Sequence, residues 1–174
     1  IRHRGILDWD TPVTWIDTSD MDFKEEFVGE TFGRINKEEA HLLLKELEAY
    51  ILRIGGSRIL EERIDFGLIS PYKAQVQYLR GKIKGSATLR PYRSLITVNT
   101  VDGFQGQERD VIFISLVRAN EEGQIGFLND LRRMNVAITR ARMKLVILGE
   151  AATLGHHAFY KQLLEYVKKV NGRQ

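Results

Sequence analysis

Val98-Asn99-Thr100-Val101-Asp102-Gly103-Phe104-Gln105-Gly106-Gln107-Glu108 reads as a strand running into a polar turn that bears two glycines. Downstream, Asn135-Val136-Ala137-Ile138-Thr139-Arg140-Ala141-Arg142 reads as a short helix carrying two arginines, and the apolar strand Leu145 to Leu148 follows it. The same alternation extends outward in both directions. Val13 to Asp17 is a short apolar strand. Asn36 is an N-cap with Glu39 at the third helical position, a capping box that opens a helix from Lys37 to about Ile54. Leu43, Leu44, Leu47, Ile51 and Ile54 recur at helical spacing, so one face packs on a sheet, and Gly55-Gly56 stops the helix. Phe66 to Ile69 is a buried strand. Ser70-Pro71 then starts a helix that carries Ala74, Val76, Leu79 and Ile83 towards Gly85. Further strands are expected at Leu95 to Thr100 and Val111 to Val117, and a last helix from His156 to Val170. Apolar β-branched strands alternating with amphipathic helices predict an α/β fold with a mostly parallel sheet covered on both faces, three layers in all.

Bulk properties agree. A length of 174 residues suits one core, and with no repeat or low-complexity tract residues 1–174 read as one domain. The hydrophobic share of 43% and charged share of 28% are those of a globular protein. The absence of cysteine excludes disulfides and thiolate zinc sites and fits a reducing, cytoplasmic setting. No apolar run approaches membrane-spanning length, so no membrane partner is expected, and the first residues lack signal-peptide character. The chain opens on Ile1 rather than Met, as an excised piece of a larger protein would.

The net charge of +3 is unevenly spread. Between Tyr72 and Arg93 lie Lys73, Arg80, Lys82, Lys84, Arg90 and Arg93, with no acidic residue. Such a run either contacts nucleic-acid phosphates or forms a solvated helix face. Asp17 to Glu30 is acidic and reads as a surface loop or hairpin away from nucleic acid.

Ligands of parallel sheets sit at the carboxyl ends of the strands, so chemistry is expected in the turns that follow them. Ser70-Pro71-Tyr72-Lys73 offers a hydroxyl and free amides at a helix start, suited to a phosphate or simply to capping. In Thr100 to Glu108, Gly103 and Gly106 allow backbone geometry closed to other residues, and Gln105 and Glu108 project from the turn. The plainer reading of Glu108 is a surface carboxylate paired with Arg109. Arg140 and Arg142 either complement a helix C-terminus or present a guanidinium to phosphoryl charge.

Taken together with Ser115-Leu116-Val117-Arg118-Ala119-Asn120 and Ile125-Gly126-Phe127-Leu128-Asn129-Asp130, these stretches resemble the second RecA-like domain of superfamily 1 helicases. The resemblance is closest to the 5′-to-3′ branch that includes the nonsense-mediated-decay RNA helicase. It is strong from Ile64 to Leu79 and from Thr97 to Glu150. It implies a RecA-like, P-loop NTPase-type, AAA-type domain of an ATP-dependent DNA or RNA helicase. Arg140 is then the arginine finger, and Arg142 a supporting residue of the nucleotide site. Glu108 hydrogen-bonds the ribose of ATP, Gly106 lets the backbone approach the nucleotide, and Gln105 links nucleotide and nucleic-acid sites. Ser70, Pro71, Tyr72, Lys73 and Thr100 face single-stranded nucleic acid. Ser70 stands where the family more often has Thr, a departure that keeps the hydroxyl.

No Gly-x-x-x-x-Gly-Lys-Ser/Thr loop and no strand-end Asp-Glu pair occurs in the sequence. ATP and magnesium are therefore expected to be held mainly by a first RecA-like domain of the same protein, and residues 1–174 alone to be inactive. No metal ligands are assigned within the chain. Two other readings compete: a non-catalytic nucleic-acid-binding module, and a nuclease in which Asp102, Glu108 and Asp110 hold a metal.

Overall fold

The computed structural model describes residues 12–28 and 33–171. Five strands form one sheet in the order β1-β7-β6-β4-β5, and every pairing in it is parallel. They are β1 (Val13–Asp17), β4 (Phe66–Ile69), β5 (Ile96–Asn99), β6 (Arg109–Ser115) and β7 (Ala141–Gly149). β2 (Glu26–Phe27) and β3 (Arg34–Ile35) make a separate antiparallel pair. The helices are α1 (Lys37–Ile54), α2 (Gly56–Glu62), α3 (Lys73–Lys84), α4 (Leu131–Ile138), α5 (Ala151–Leu154) and α6 (Ala158–Asn171).

The period-two alternation of the strands divides the core. Phe66, Leu68, Val111, Phe113, Val146 and Leu148 face one way, into a cluster built with α1, α2 and α3. Ile69, Ile112, Ile114, Leu145 and Ile147 face the other, into a cluster built with α4, α5 and α6. Helices on both faces leave the central strands no solvent side, which is why β4 is buried throughout and β6 at every position after Arg109. The expected three-layer, RecA-like α/β architecture is the one observed.

Several boundaries differ from expectation. Gly55, at φ 98°, ends α1, but Gly56 begins a second helix that buries Ile59. Arg140 and Arg142 are not helical. Asp130 caps α4 by accepting from the Arg133 amide at 3.3 Å, so this helix starts before Asn135 and ends at Ile138. Arg109 then pairs with Ala141, and the ladder draws Arg142 into β7. The acidic segment after Asp17 does enter a hairpin, through β2; its Glu30 lies outside the described residues.

Candidate functional site

The residues singled out by sequence fall at two opposite edges of the sheet. Glu108 and Arg140 immediately precede β6 and β7, so they sit at the amino ends of the strands, not the carboxyl ends. The reason is topological. Thr100 to Glu108 is itself the crossover that returns the chain from the end of β5 to the start of β6. A 3-10 turn, Asp102–Phe104, carries it over the sheet with Phe104 fully buried. Gly67 of β4 makes room, since a Cβ there would lie 3.0 Å from the Phe104 ring and 2.6 Å from Ile112 Cδ1. Gly106 has φ 78°, a left-handed conformation costly for other residues, with open space above its Cα.

At the amino edge, the Arg109 amide donates to the Arg140 carbonyl at 3.1 Å, which locks the two segments side by side. The Arg140 guanidinium donates to the carbonyls of Val136 (3.1 Å) and Gln107 (3.2 Å) and to Thr139 Oγ1 (3.2 Å). All three acceptors are neutral, and among the described residues no carboxylate pairs with it. Three donors of five are used, so the charge is oriented yet uncompensated. Glu108 is exposed. Its carboxylate makes no hydrogen bond or ion pair with a described residue, while its carbonyl accepts from Arg109 at 2.7 Å. Arg109 turns instead to Thr97 Oγ1, Gln107 Oε1 and the face of Phe104. The Glu108–Arg109 ion pair is therefore not formed. Gln105 is exposed on the crossover between the two edges.

Arg142 differs sharply from Arg140. It donates to Asp110 Oδ1 at 3.0 Å and to both Asp65 oxygens at 2.9 and 3.1 Å. Burial works to lower its pKa, but hydrogen bonding to Asp110 and the charges of Asp110 and Asp65 outweigh this and raise it. The two carboxylates also brace the chain, each accepting the other residue's amide (3.2 and 2.7 Å). Arg142 thus fixes the strand ends under Arg140. Asp102 is likewise paired, with Arg133. With Asp102 and Asp110 both tied to arginines, Asp102, Glu108 and Asp110 form no metal-binding trio.

At the carboxyl edge, Ile69 pairs with Asn99, and the Ser70 amide donates to the Asn99 carbonyl at 3.4 Å. This brings Ser70, Pro71, Tyr72, Lys73 and Thr100 onto adjoining turns, as a parallel sheet requires. Ser70 Oγ is buried and accepts from the Tyr72 amide at 3.3 Å. Tyr72 is only 2% exposed. Its hydroxyl donates to the Ile125 carbonyl (3.1 Å) and accepts from Arg118 (3.2 Å), so the ring anchors the segment before α4 rather than lying open. Its pKa is raised by burial, against the opposing effect of Arg118. Lys73 and the later lysines of α3 are exposed.

A polar network beneath this edge escaped the sequence reading. Asn36 caps α1 by accepting from the Glu39 amide at 3.0 Å, but Glu39 does not return the bond. The Asn36 amide goes to Gln75 Oε1 instead, at 3.1 Å. Glu39 is wholly buried, and its Oε1 accepts from Ser115 Oγ (2.6 Å) and the Val117 amide (2.8 Å). Asn36 Nδ2 donates to the Val117 carbonyl at 3.1 Å. Val117 has φ 71°, a strained conformation for a β-branched residue costing on the order of 1–3 kcal/mol. One turn of α1 therefore holds both polar groups of this peptide and aims Arg118 at Glu25, 2.9 Å away, and at Tyr72. Burial pushes the Glu39 carboxyl up to about 7, against lowering by Ser115 and Val117. The only sequence signal for this was Asn36-x-x-Glu39, which reads equally well as a capping box.

The fold is that of a three-layer RecA-like α/β domain, and comparison with known proteins agrees. A family model described as an AAA domain matches residues 2–152. The chain belongs to that family and, within it, to the superfamily 1 helicases of the nonsense-mediated-decay-helicase-like branch. It is 38% identical over 143 residues to the probable helicase MAGATAMA 3 of Arabidopsis thaliana, covering 82% of this chain and 17% of that protein. It is 39% identical over 145 residues to the DNA polymerase alpha-associated DNA helicase A of Saccharomyces cerevisiae, covering 82% and 20%. Against the regulator of nonsense transcripts 1 homolog of Drosophila melanogaster it is 38% identical over 149 residues, covering 83% and 12%. The chain thus spans a fifth or less of the length of these relatives. No helix among the described residues is long and apolar enough to cross a membrane.

Proposed function

We propose that this chain is the second RecA-like domain of an ATP-dependent superfamily 1 helicase acting on DNA or RNA. The observation that carries the reading is the placement of Arg140 and Glu108 at the same sheet edge, each without a counter-ion among the described residues. A guanidinium held by neutral carbonyls keeps its full charge for an incoming anion and stabilises the charge that spreads over a transferring phosphoryl group. Glu108 accepts hydrogen bonds from a ribose, and Gly106 beside it gives the nucleotide close access to the backbone. Arg142 supports both by fixing the starts of β6 and β7. The bulk of the ATP site, including magnesium, belongs to a first RecA-like domain of the same protein; the metal supplies charge neutralisation at the phosphates when bound. Single-stranded nucleic acid crosses the opposite edge, over Pro71, Lys73 and Thr100, with Ser70 and Tyr72 as the buried struts of that turn. Gln105 lies on the crossover that joins the edges, a direct covalent path between the two sites.

The test is Arg140→Ala in the full-length parent protein. ATP turnover should fall by about 10³–10⁵-fold while ATP binding changes far less. Arg140→Lys should not restore turnover, because a point charge lacks the planar fork. Near-normal turnover in the alanine variant would overturn the assignment and favour a non-catalytic nucleic-acid-binding module.

A further inference from the structure

The crossover from β5 to β6 holds α4 at both ends. Asp102, which follows Thr100 and Val101, pairs with Arg133 in the first turn of the helix. Gln107, late in the same crossover, accepts from Arg140 at 3.2 Å, just beyond the last turn. The chain between these two fixings is braced by its own backbone bonds: Phe104 donates to Val101 (3.1 Å), Gln105 to Asp102 (3.2 Å) and Gln107 to Phe104 (2.9 Å). α4 is short, roughly 12 Å at about 1.5 Å per residue. Of its 8 residues Met134 and Ala137 are buried, so it meets the sheet along a narrow seam and the polar contacts at its ends fix its place on that seam. Its last turn aims the guanidinium. Arg140 Nε donates to the Val136 carbonyl at 3.1 Å, and Nη2 donates to Thr139 Oγ1, which itself donates to Val136 at 2.9 Å.

The geometry points to α4 as a strut through which a strand bound at Thr100 sets Arg140, with the Asp102–Arg133 ion pair as the positioning contact that ties the strut to the nucleic-acid edge. A phosphate on Thr100 that shifts the turn carries Asp102 with it, Asp102 draws Arg133, and the helix moves the Arg140 guanidinium as one body. The pair suits coupling better than folding. Its side chains are 60% and 42% exposed, and ion pairs in water add little stability. Arg133 also keeps a second carboxylate, Asp130, at 3.8 Å, and Asp130 caps the helix start by accepting the Arg133 amide. Loss of the Asp102 charge therefore leaves α4 formed and unties it from the turn. The inference rests on the proposed function, and the experiment separates the two.

In the full-length parent, ATP turnover is measured without nucleic acid and with saturating oligothymidylate or oligouridylate, whichever stimulates the wild type more, and strand affinity is measured by fluorescence anisotropy. Asp102→Asn and Arg133→Gln should each leave basal turnover and strand affinity unchanged and reduce the stimulation by about 2- to 5-fold, the range that one exposed ion pair can carry. The double variant should be no worse than either single one, because both remove the same contact. Exchanging the charges, Asp102→Lys with Arg133→Glu, should recover stimulation. Unchanged stimulation in both single variants, losses that multiply in the double, an exchanged pair no better than the singles, or an equal fall in basal and stimulated turnover would overturn the coupling role and leave the proposed function standing. If neither strand stimulates the wild type, or if Arg140→Ala retains turnover, the proposed function fails and the strut fails with it.

Discussion

Replacing Glu39 by Gln should abolish a specific pH dependence of folding. The Glu39 carboxyl is fully buried, Oε1 accepts from Ser115 and Val117, and Oε2 has no partner. Desolvation dominates and raises its pKa from 4.5 to about 7. A carboxyl that binds its proton more tightly when folded stabilises the native state fully below the unfolded pKa, and this contribution is lost as pH rises through the folded one. The window therefore runs from 4.5 to about 7. At 1.36 kcal/mol per pKa unit, the wild type should lose about 2 to 3 kcal/mol of stability through this group between about pH 5 and pH 8. Gln is isosteric with the neutral acid, keeps an acceptor for Ser115 and Val117, and does not titrate. Urea denaturation of wild type and Glu39→Gln across that range isolates the group, since every other titration is common to both. The variant should be comparable to wild type near pH 5 and more stable near pH 8. Parallel pH profiles would refute the claim that Glu39 changes its protonation on folding.

Other perturbations sort the remaining roles. Arg142→Ala removes the guanidinium that bridges Asp65 and Asp110 and should cost on the order of 1–3 kcal/mol in urea denaturation, at the lower end because the guanidinium is 42% exposed. In the full-length parent it should reduce ATP turnover far less than Arg140→Ala; the reverse ranking would exchange the two assignments. Removing Lys82, Lys84 and Arg90 together should lower single-strand affinity and flatten its salt dependence by about 0.7 per lost phosphate contact. Arg80 is left out because it already donates to the Val98 carbonyl at 3.0 and 2.6 Å. An unchanged slope would leave the basic run a solvated face. Residues 1–174 alone should show no nucleic-acid-stimulated ATP turnover, as they carry only half of the proposed site; activity that survives purification and disappears in Arg140→Ala would contradict this.

Much of the scaffold was legible in local pattern. β1, β4 and α1 occupy the expected residues, because hydrophobic periodicity and the Asn36 cap are local properties. Errors gathered where pairing partners decide. Arg142 looks like the end of an apolar helix in sequence, and only the register Arg109↔Ala141 shows that it belongs to a strand. Glu39 looks like the second half of a capping box. Its carboxyl goes instead to Ser115 and Val117, more than seventy positions away in sequence, because burial under the sheet leaves it no water.

The sequence by itself determined the layered parallel fold, the family, and the residues worth attention: Arg140, Glu108, and the turn at Ser70. Those follow from spacing and side-chain chemistry, which do not depend on where the chain goes next. Tertiary structure decided what each residue is free to do. Arg140 and Arg142 stand two positions apart, yet one guanidinium rests on neutral carbonyls and the other is spent on Asp65 and Asp110. Glu108 and Thr100 lie in one short motif, yet they reach opposite edges, because joining parallel strands requires a crossover along the full length of the sheet. Charge compensation and edge placement are set by contacts between residues distant in sequence, and no local pattern carries that information.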